Sequence, residues 1–194
     1  MGFVAVQCLV GLAVLLQLPP TAILVGFASV PLIVLYPFMK RITWWPQAFL
    51  GVTFNWGALV GYAAVMGTLA PATLVLYLAG ILWTLGYDTI YAHQDKVDDE
   101  LIGVRSTARL FGRATKPWLI GFYTGTILLL ILAGALAGKA WPFWAILPIA
   151  AWTLVRQVRD VDIDDPRSCL DQFRANRLSG LIVTLALALG TLAA

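Results

Sequence analysis

Long apolar runs, separated by prolines and short polar stretches, dominate the chain from end to end. Read as membrane-length segments of about 20 residues each, they predict helices near 3–17, 21–39, 46–67, 72–93, 118–137, 142–158 and 178–193. Pro19, Pro20, Pro46, Pro71, Pro117 and Pro142 fall at the boundaries, where a missing backbone N–H costs least. Pro31, Pro37 and Pro148 fall inside or near the ends of runs, and kinks are expected there because membrane helices accept proline when neighbours satisfy the freed carbonyls.

Composition strengthens this reading. Hydrophobic residues make up 60% of the 194 and charged residues only 12%, with a mean hydropathy of +0.85. A water-soluble domain of this size could not cover such a chain with polar surface. Cys8 sits in an apolar run and Cys169 in a predicted polar loop, so neither a disulfide framework nor a thiolate metal site follows. No positively charged stretch precedes the first apolar run, and that run reads as a mature span rather than a signal peptide.

Charge tests the map independently, because loops alternate sides and cytoplasmic loops are rich in Lys and Arg. Twelve of the thirteen basic residues fall on one side, and Lys139 alone falls opposite. The N-terminus is therefore expected in the cytoplasm (or matrix) and the C-terminus outside. These cations read as topology determinants, and nothing in them points to nucleic acid. All ten acidic residues lie on or near the same side, which the topology rule does not require. Asp160, Asp162, Asp164, Asp165 and Asp171 are expected to be solvated surface groups.

Asp88, Asp95 and Asp99 call for more. If the fourth helix continues through them, they stand at i, i+7 and i+11 with Tyr91 at i+3, on one face. Asp88 follows a nearly apolar stretch, and an unpaired carboxylate at that depth costs about 2.5–3.5 kcal/mol. Hard divalent cations prefer carboxylate oxygens, and Mg²⁺ is usually held by a few carboxylates plus substrate phosphates. The bland alternative is a solvated helix end, salt-bridged to Lys96 and the arginines that follow. His93, the single histidine, has no second soft ligand nearby and is expected at the membrane interface, outside the site. Lys40 and Arg41 close the second run beside Trp44 and Trp45. Span ends commonly carry snorkelling cations and aromatic belts, yet these two share the carboxylates' side, where they could grip phosphates. Asn55 either lines a cavity or bonds helix to helix.

Four strings carry a resemblance: Tyr36-Pro-Phe-Met-Lys-Arg-x-Thr-x-x-Pro-Gln47, Leu50-Gly-x-x-Phe-x-Trp-Gly57, Tyr87-Asp-Thr-x-Tyr-Ala-x-x-Asp-x-x-Asp-Asp99 and Gly103-Val-Arg-Ser-Thr-Ala108. Weaker matches continue at Cys169, Phe173, Asn176 and Gly180. Along essentially the whole chain the sequence resembles the UbiA family of membrane prenyltransferases, nearest to those that prenylate 4-hydroxybenzoate in ubiquinone biosynthesis. The resemblance implies an all-α, polytopic transmembrane bundle forming a single prenyltransferase domain in a bacterial or mitochondrial inner membrane. Its cavity would open toward the cytoplasm or matrix. It further implies Mg²⁺ bridging aspartates to a polyprenyl diphosphate, ionisation to an allylic cation, and attack by the ring carbon ortho to the phenol hydroxyl. Carried over, Asp88, Asp95 and Asp99 are metal ligands, with Asp98 a lesser candidate. Lys40 and Arg41 lie near the diphosphate, Tyr91 stands beside it, and Tyr36, Asn55 and Arg105 join the substrate-binding set.

The family has nine spans and a first aspartate-rich segment of pattern Asn-Asp-x-x-Asp, which this sequence does not contain. The seven runs match the family's last seven helices, so the expectation is an N-terminally incomplete domain lacking that segment. Two other readings stay open beside the enzyme: an inactive or partial fragment, and an ion-coupled membrane transporter built around Asp88, for which no internal repeat speaks.

Overall fold

The computed structural model describes residues 2–193 and is helical throughout, with no strand among the described residues. We number its helices α1 (Gly2–Leu15), α2 (Pro20–Ile42), α3 (Pro46–Met66), α4 (Pro71–Ala92), α5 (Lys96–Leu101), α6 (Thr107–Leu136), α7 (Trp141–Asp160) and α8 (Pro166–Leu192). Five of them, α2, α3, α4, α6 and α8, are long and apolar enough to cross a membrane. Helix α1 is apolar but shorter, and α7 ends in Arg156, Arg159 and Asp160, which shortens its apolar stretch. The chain is a polytopic membrane bundle, as the runs predict.

Helix starts follow local chemistry. Pro20, Pro46 and Pro71 each stand at the first helical position, where the fixed φ is already helical and no N–H is lost. Helix α8 starts at Pro166, and the Asp165 carboxylate accepts from the backbone N–H of Arg167 (3.0 Å) and Ser168 (3.2 Å), a side-chain N-cap. This start lies well before the expected one near 178, so Cys169, Phe173, Asn176 and Arg177 are helical, and Cys169 is buried rather than set in a polar loop. Helix α6 likewise begins at Thr107, with a 3-10 turn at Gly112–Ala114, where a start near 118 is expected.

Of the expected kinks, the break in α2 at Ser29 precedes Pro31, and the 3-10 turn Tyr36–Phe38 contains Pro37. Helix α7 runs unbroken through Pro148. A further break divides α3 at Asn55, whose Nδ2 donates to the Gly51 carbonyl at 2.9 Å.

Helix α4 runs through the middle, packed against α3, α6 and α8, while α7 lies against α8 and α6. The interior collects Ala79, Leu130, Phe143, Leu147, Ala150, Val183 and Ala186 in one cluster and Ile90, Leu119, Tyr123, Leu154, Val161 and Cys169 in another. Small residues bring the helices close: a Cβ on Gly86 would lie 2.2 Å from Cε1 of Tyr123, and one on Gly80 2.3 Å from Oδ1 of Asn55. Such contacts hold membrane helices together where lipid is as apolar as leucine. A buried polar chain adds to them. The Tyr123 hydroxyl donates to Gln157 Oε1 (3.0 Å), Gln157 Nε2 donates to Ser179 Oγ (3.1 Å), and Ser179 shares a hydrogen bond with Thr153 (2.8 Å), tying α6, α7 and α8. Helix α1 buries no residue and α2 very few, and Phe3, Leu9, Leu24 and Ile33 face outward, as lipid-facing side chains should.

Candidate active site

Helix α4 does not continue through the aspartates. It stops at Ala92, turns over 93–95, and the chain resumes as the short helix α5. Asp88, Asp95 and Asp99 therefore do not share one continuous helical face. The reason lies in tertiary contacts. His93 is buried, with Nε2 in a hydrogen bond to Thr115 Oγ1 at 2.9 Å, so it is a packed residue rather than an interfacial one. Burial, reinforced by nearby Lys96, lowers its pKa to about 4, and the ring stays neutral at physiological pH.

The turn back carries Asp99 to the end of α2. Its carboxylate is buried and pairs with Lys40 Nζ at 3.2 Å. Around this pair the chain is pinned by backbone bonds: Arg105 N–H donates to the Lys40 carbonyl (2.8 Å) and the Arg105 guanidinium to the Ile42 carbonyl (2.7 Å). Arg109 donates to the carbonyls of Asp99 (3.3 Å) and Val104. Both guanidiniums lie over the Trp44 ring, at 5.6 and 5.5 Å, a cation–π arrangement. Arg105, expected to bind substrate, thus spends part of its donor fork on holding the loop to α2. Arg41 is exposed beside Lys40.

Asp88 sits half-buried near the end of α4, close enough to Lys40 and Tyr36 for their charges to interact. Asp95 opens α5 without its carboxylate capping that helix. Neither Asp88 nor Asp95 forms a salt bridge among the described residues. Asp98 is exposed. No group of three His, Cys, Asp or Glu side chains is gathered to hold a metal ion among the described residues, so the three expected metal ligands do not form one cluster. Their chemistry nevertheless suits Mg²⁺: two hard oxygen donors outside any salt bridge among the described residues fit an ion that takes one or two carboxylates and completes its shell with phosphate and water.

A cavity of about 470 Å³ opens between α3, α4 and α8, lined by Phe54, Asn55, Trp83, Thr84, Tyr87 and Phe173 among others. Its wall is a bonded series. Asn55 Nδ2 donates to Thr84 Oγ1 (2.8 Å), Thr84 donates to the Tyr87 hydroxyl (3.2 Å), and Trp83 Nε1 donates to Asn176 Oδ1 (2.9 Å). Phe173 packs its ring 4.7 Å from that of Tyr91 and 5.8 Å from that of Tyr87. Of the expected residues, Asn55 lines the cavity and bonds helix to helix at once, and Tyr91 stands at its edge. Sequence reasoning missed Trp83, Thr84, Tyr87 and the α8 residues as a wall, although Thr84, Tyr87, Asp88 and Tyr91 recur at helical spacing, which was the available signal.

The profile of the UbiA prenyltransferase family matches residues 1–191. The chain belongs to this family. UbiA-family relatives similar to it include the mitochondrial 4-hydroxybenzoate polyprenyltransferases of Homo sapiens (48% identical over 191 residues, 98% of this chain and 52% of that protein) and Aedes aegypti (47% identical, 98% of this chain and 43% of that protein). The chain spans about half the length of the curated relatives it matches. The UbiA fold itself is matched by the apo UbiA homolog from Aeropyrum pernix K1, with a TM-score of 0.75 at 19% identity over 92% of this chain and 67% of that one. A digeranylgeranylglyceryl phosphate synthase gives 0.74 at 15% identity, over 100% of this chain and 69% of that one.

Proposed function

We propose that this UbiA-family chain transfers a polyprenyl group from a prenyl diphosphate to the ring carbon ortho to the hydroxyl of 4-hydroxybenzoate, in ubiquinone biosynthesis. The observation that carries the proposal is the 48% identity to the human 4-hydroxybenzoate polyprenyltransferase across 98% of the chain. Supporting it, Tyr87 lines a cavity with aromatic walls and is followed in the chain by Asp88, which lies within charge reach of Lys40; an anionic leaving group and an allylic cation need such groups close together.

In this reading Lys40 and Arg41 bind the diphosphate and stabilise the charge that builds on it as the carbon–oxygen bond breaks. Asp88 and Asp95 would hold Mg²⁺, which when bound would neutralise the phosphates and polarise the leaving group. Asp99 positions Lys40. Tyr91, Tyr87 and Phe173 present π faces to the cationic isoprenyl carbon, and the apolar walls exclude water that would quench it. The ring carbon then forms the new carbon–carbon bond and the ring proton is released. The protein works in a bacterial or mitochondrial inner membrane, with this site toward the cytoplasm or matrix, the side that receives twelve of the thirteen basic residues in the seven-span map.

The test is transfer of a prenyl group to labelled 4-hydroxybenzoate by membranes containing this chain and Mg²⁺, beside Asp88→Ala. Product that disappears with Asp88→Ala supports the proposal. Absence of product from the unaltered chain, or product indifferent to the substitution, counts against it.

A further inference from the structure

A second cavity, of about 430 Å³, lies between α6 and α7 and shares no lining residue with the first. Ile120, Ile127 and Leu128 of α6 and Leu154 and Val155 of α7 give it apolar walls, and Arg159 lines its end. The two helices are joined through residues 137–140, run antiparallel, and are tied by the bond from Tyr123 to Gln157. The groove reaches from Ile120 to Leu128 on α6 and from Ala151 to Arg159 on α7, about 12 Å on each at about 1.5 Å per residue. One leaflet of a hydrocarbon core about 30 Å thick is about 15 Å deep, so the groove starts at the basic end of α7 and stops within one leaflet. Its mouth is cationic. Arg159 and Arg156 share the single Asp160 carboxylate, at 2.7 and 3.7 Å. Lys116 stands four residues before Ile120, one turn beyond it on the same face of α6, and forms no salt bridge among the described residues. Of the acids in the loop after α7, Asp165 caps α8 and Asp162 accepts the Asp164 N–H at 3.1 Å.

From this arrangement we infer that the groove between α6 and α7 binds an anionic phospholipid, with one acyl chain along the apolar walls and the headgroup phosphate at Arg159 and Lys116. The site stands apart from the proposed transfer reaction and uses none of its residues. Three features select this occupant. Two arginines and a lysine against one aspartate leave positive charge at the mouth, and basic pockets between membrane helices on the cytoplasmic or matrix side suit anionic headgroups. Apolar walls favour hydrocarbon over water, and a free phosphate would leave them unfilled. The length suits an acyl chain confined to one leaflet, whereas a partner's membrane-spanning helix would need a face running through both.

The test is native mass spectrometry of the chain in detergent, titrated with dioleoyl phosphatidylglycerol or dioleoyl phosphatidylcholine. The unaltered protein should retain one phosphatidylglycerol about tenfold or more tightly than phosphatidylcholine. Lys116→Gln with Arg159→Gln should abolish that preference while phosphatidylcholine retention stays as it was, which shows that the groove is still formed. Lys116→Arg with Arg159→Lys should keep the preference. Thr124→Trp, at an exposed position on the groove wall, should lower retention of both lipids. Arg174→Gln with Arg177→Gln, the same charge change on α8, should alter neither. Equal retention of the two lipids by the unaltered protein overturns the inference. So does a preference that survives Lys116→Gln with Arg159→Gln, or one that falls as far with the α8 pair, since that would be attraction to the basic face at large. Displacement of the bound phosphatidylglycerol by geranylgeranyl diphosphate at equal concentration overturns it too, and makes the groove a place for a prenyl chain.

Discussion

Replacing Lys40 by Met removes the one cation that pairs with the Asp99 carboxylate among the described residues. At 3.2 Å and an effective dielectric constant near 20, the gross attraction is about 5 kcal/mol. Much of that is offset by desolvation, because the Asp99 side chain is only 6% exposed while Lys40 keeps 45%. Fully exposed pairs contribute about 0.2–1 kcal/mol, whereas breaking a fully buried one costs about 3–5 kcal/mol. A half-exposed lysine on a buried aspartate falls between, at about 1–3 kcal/mol.

The energy should appear locally, since the pair fastens α5 and its loop to the end of α2. The bonds from Arg105 and Arg109 to backbone carbonyls survive the substitution, so the bundle should stay folded while the 93–106 segment opens more often. Trypsin reads that opening at Lys96 and Arg105, with cleavage faster by about 5- to 150-fold when it follows the local equilibrium. Lys40→Met with Asp99→Asn should restore slow cleavage, because a neutral amide in place of the carboxylate needs no cation, but should not restore prenyl transfer. Equal cleavage of the unaltered protein and Lys40→Met would refute the reasoning. So would a double variant cleaved faster than either single one.

Three further outcomes are expected. Gly86→Ala drives a methyl to within 2.2 Å of a Tyr123 ring whose hydroxyl is held by Gln157, and should cost about 1–3 kcal/mol in thermal unfolding. Gly121→Ala, on an open face of α6, should cost nothing, and equal effects would dismiss the close contact. Asn55→Ala removes the bonds to Thr84 and the Gly51 carbonyl and should lower stability by about 0.6–1.7 kcal/mol; unchanged unfolding would show that the α3 break stands without them. Asp88→Asn should raise the Mg²⁺ concentration needed for half-maximal transfer by tenfold or more, and chelation should abolish transfer, as expected for an ion held by few protein oxygens; an unshifted Mg²⁺ dependence would remove Asp88 from the metal site.

The apolar runs were legible because lipid imposes a length and a composition that soluble cores do not. They located the middles of the helices well. The ends were harder wherever charge enters a helix. Residues 166–177 carry Arg167, Asp171, Arg174 and Arg177 and read as loop, yet Asp165-Pro166 is a capping pair followed by a helical turn, and that signal was present in the sequence. The stop at Ala92 had no such mark. No Gly or Pro stands near it, and spacing alone carried the helix on to Asp99. What ends α4 is the burial of His93 against Thr115 and the capture of Asp99 by Lys40, partners 22 and 59 residues away.

The same distinction explains the candidate site. Gly80, Thr84, Tyr87, Asp88 and Tyr91 recur every three or four residues along α4, a polar and small stripe in an otherwise apolar helix. Lipid tolerates such a stripe only if something other than lipid faces it. Its partners, Asn55 on α3 and Phe173 and Asn176 on α8, come from segments whose local sequence reads as mid-span or loop, so the stripe was visible and its complement was not. Ala79, Gly86 and Ile90 interleave with it in sequence and are buried, with Gly86 against Tyr123 of α6 and Ile90 packed in a cluster drawn from α6, α7 and α8. One helix therefore serves as both the packing centre of the bundle and a wall of the cavity, and a strain placed on the first face reaches the second through a single rigid element.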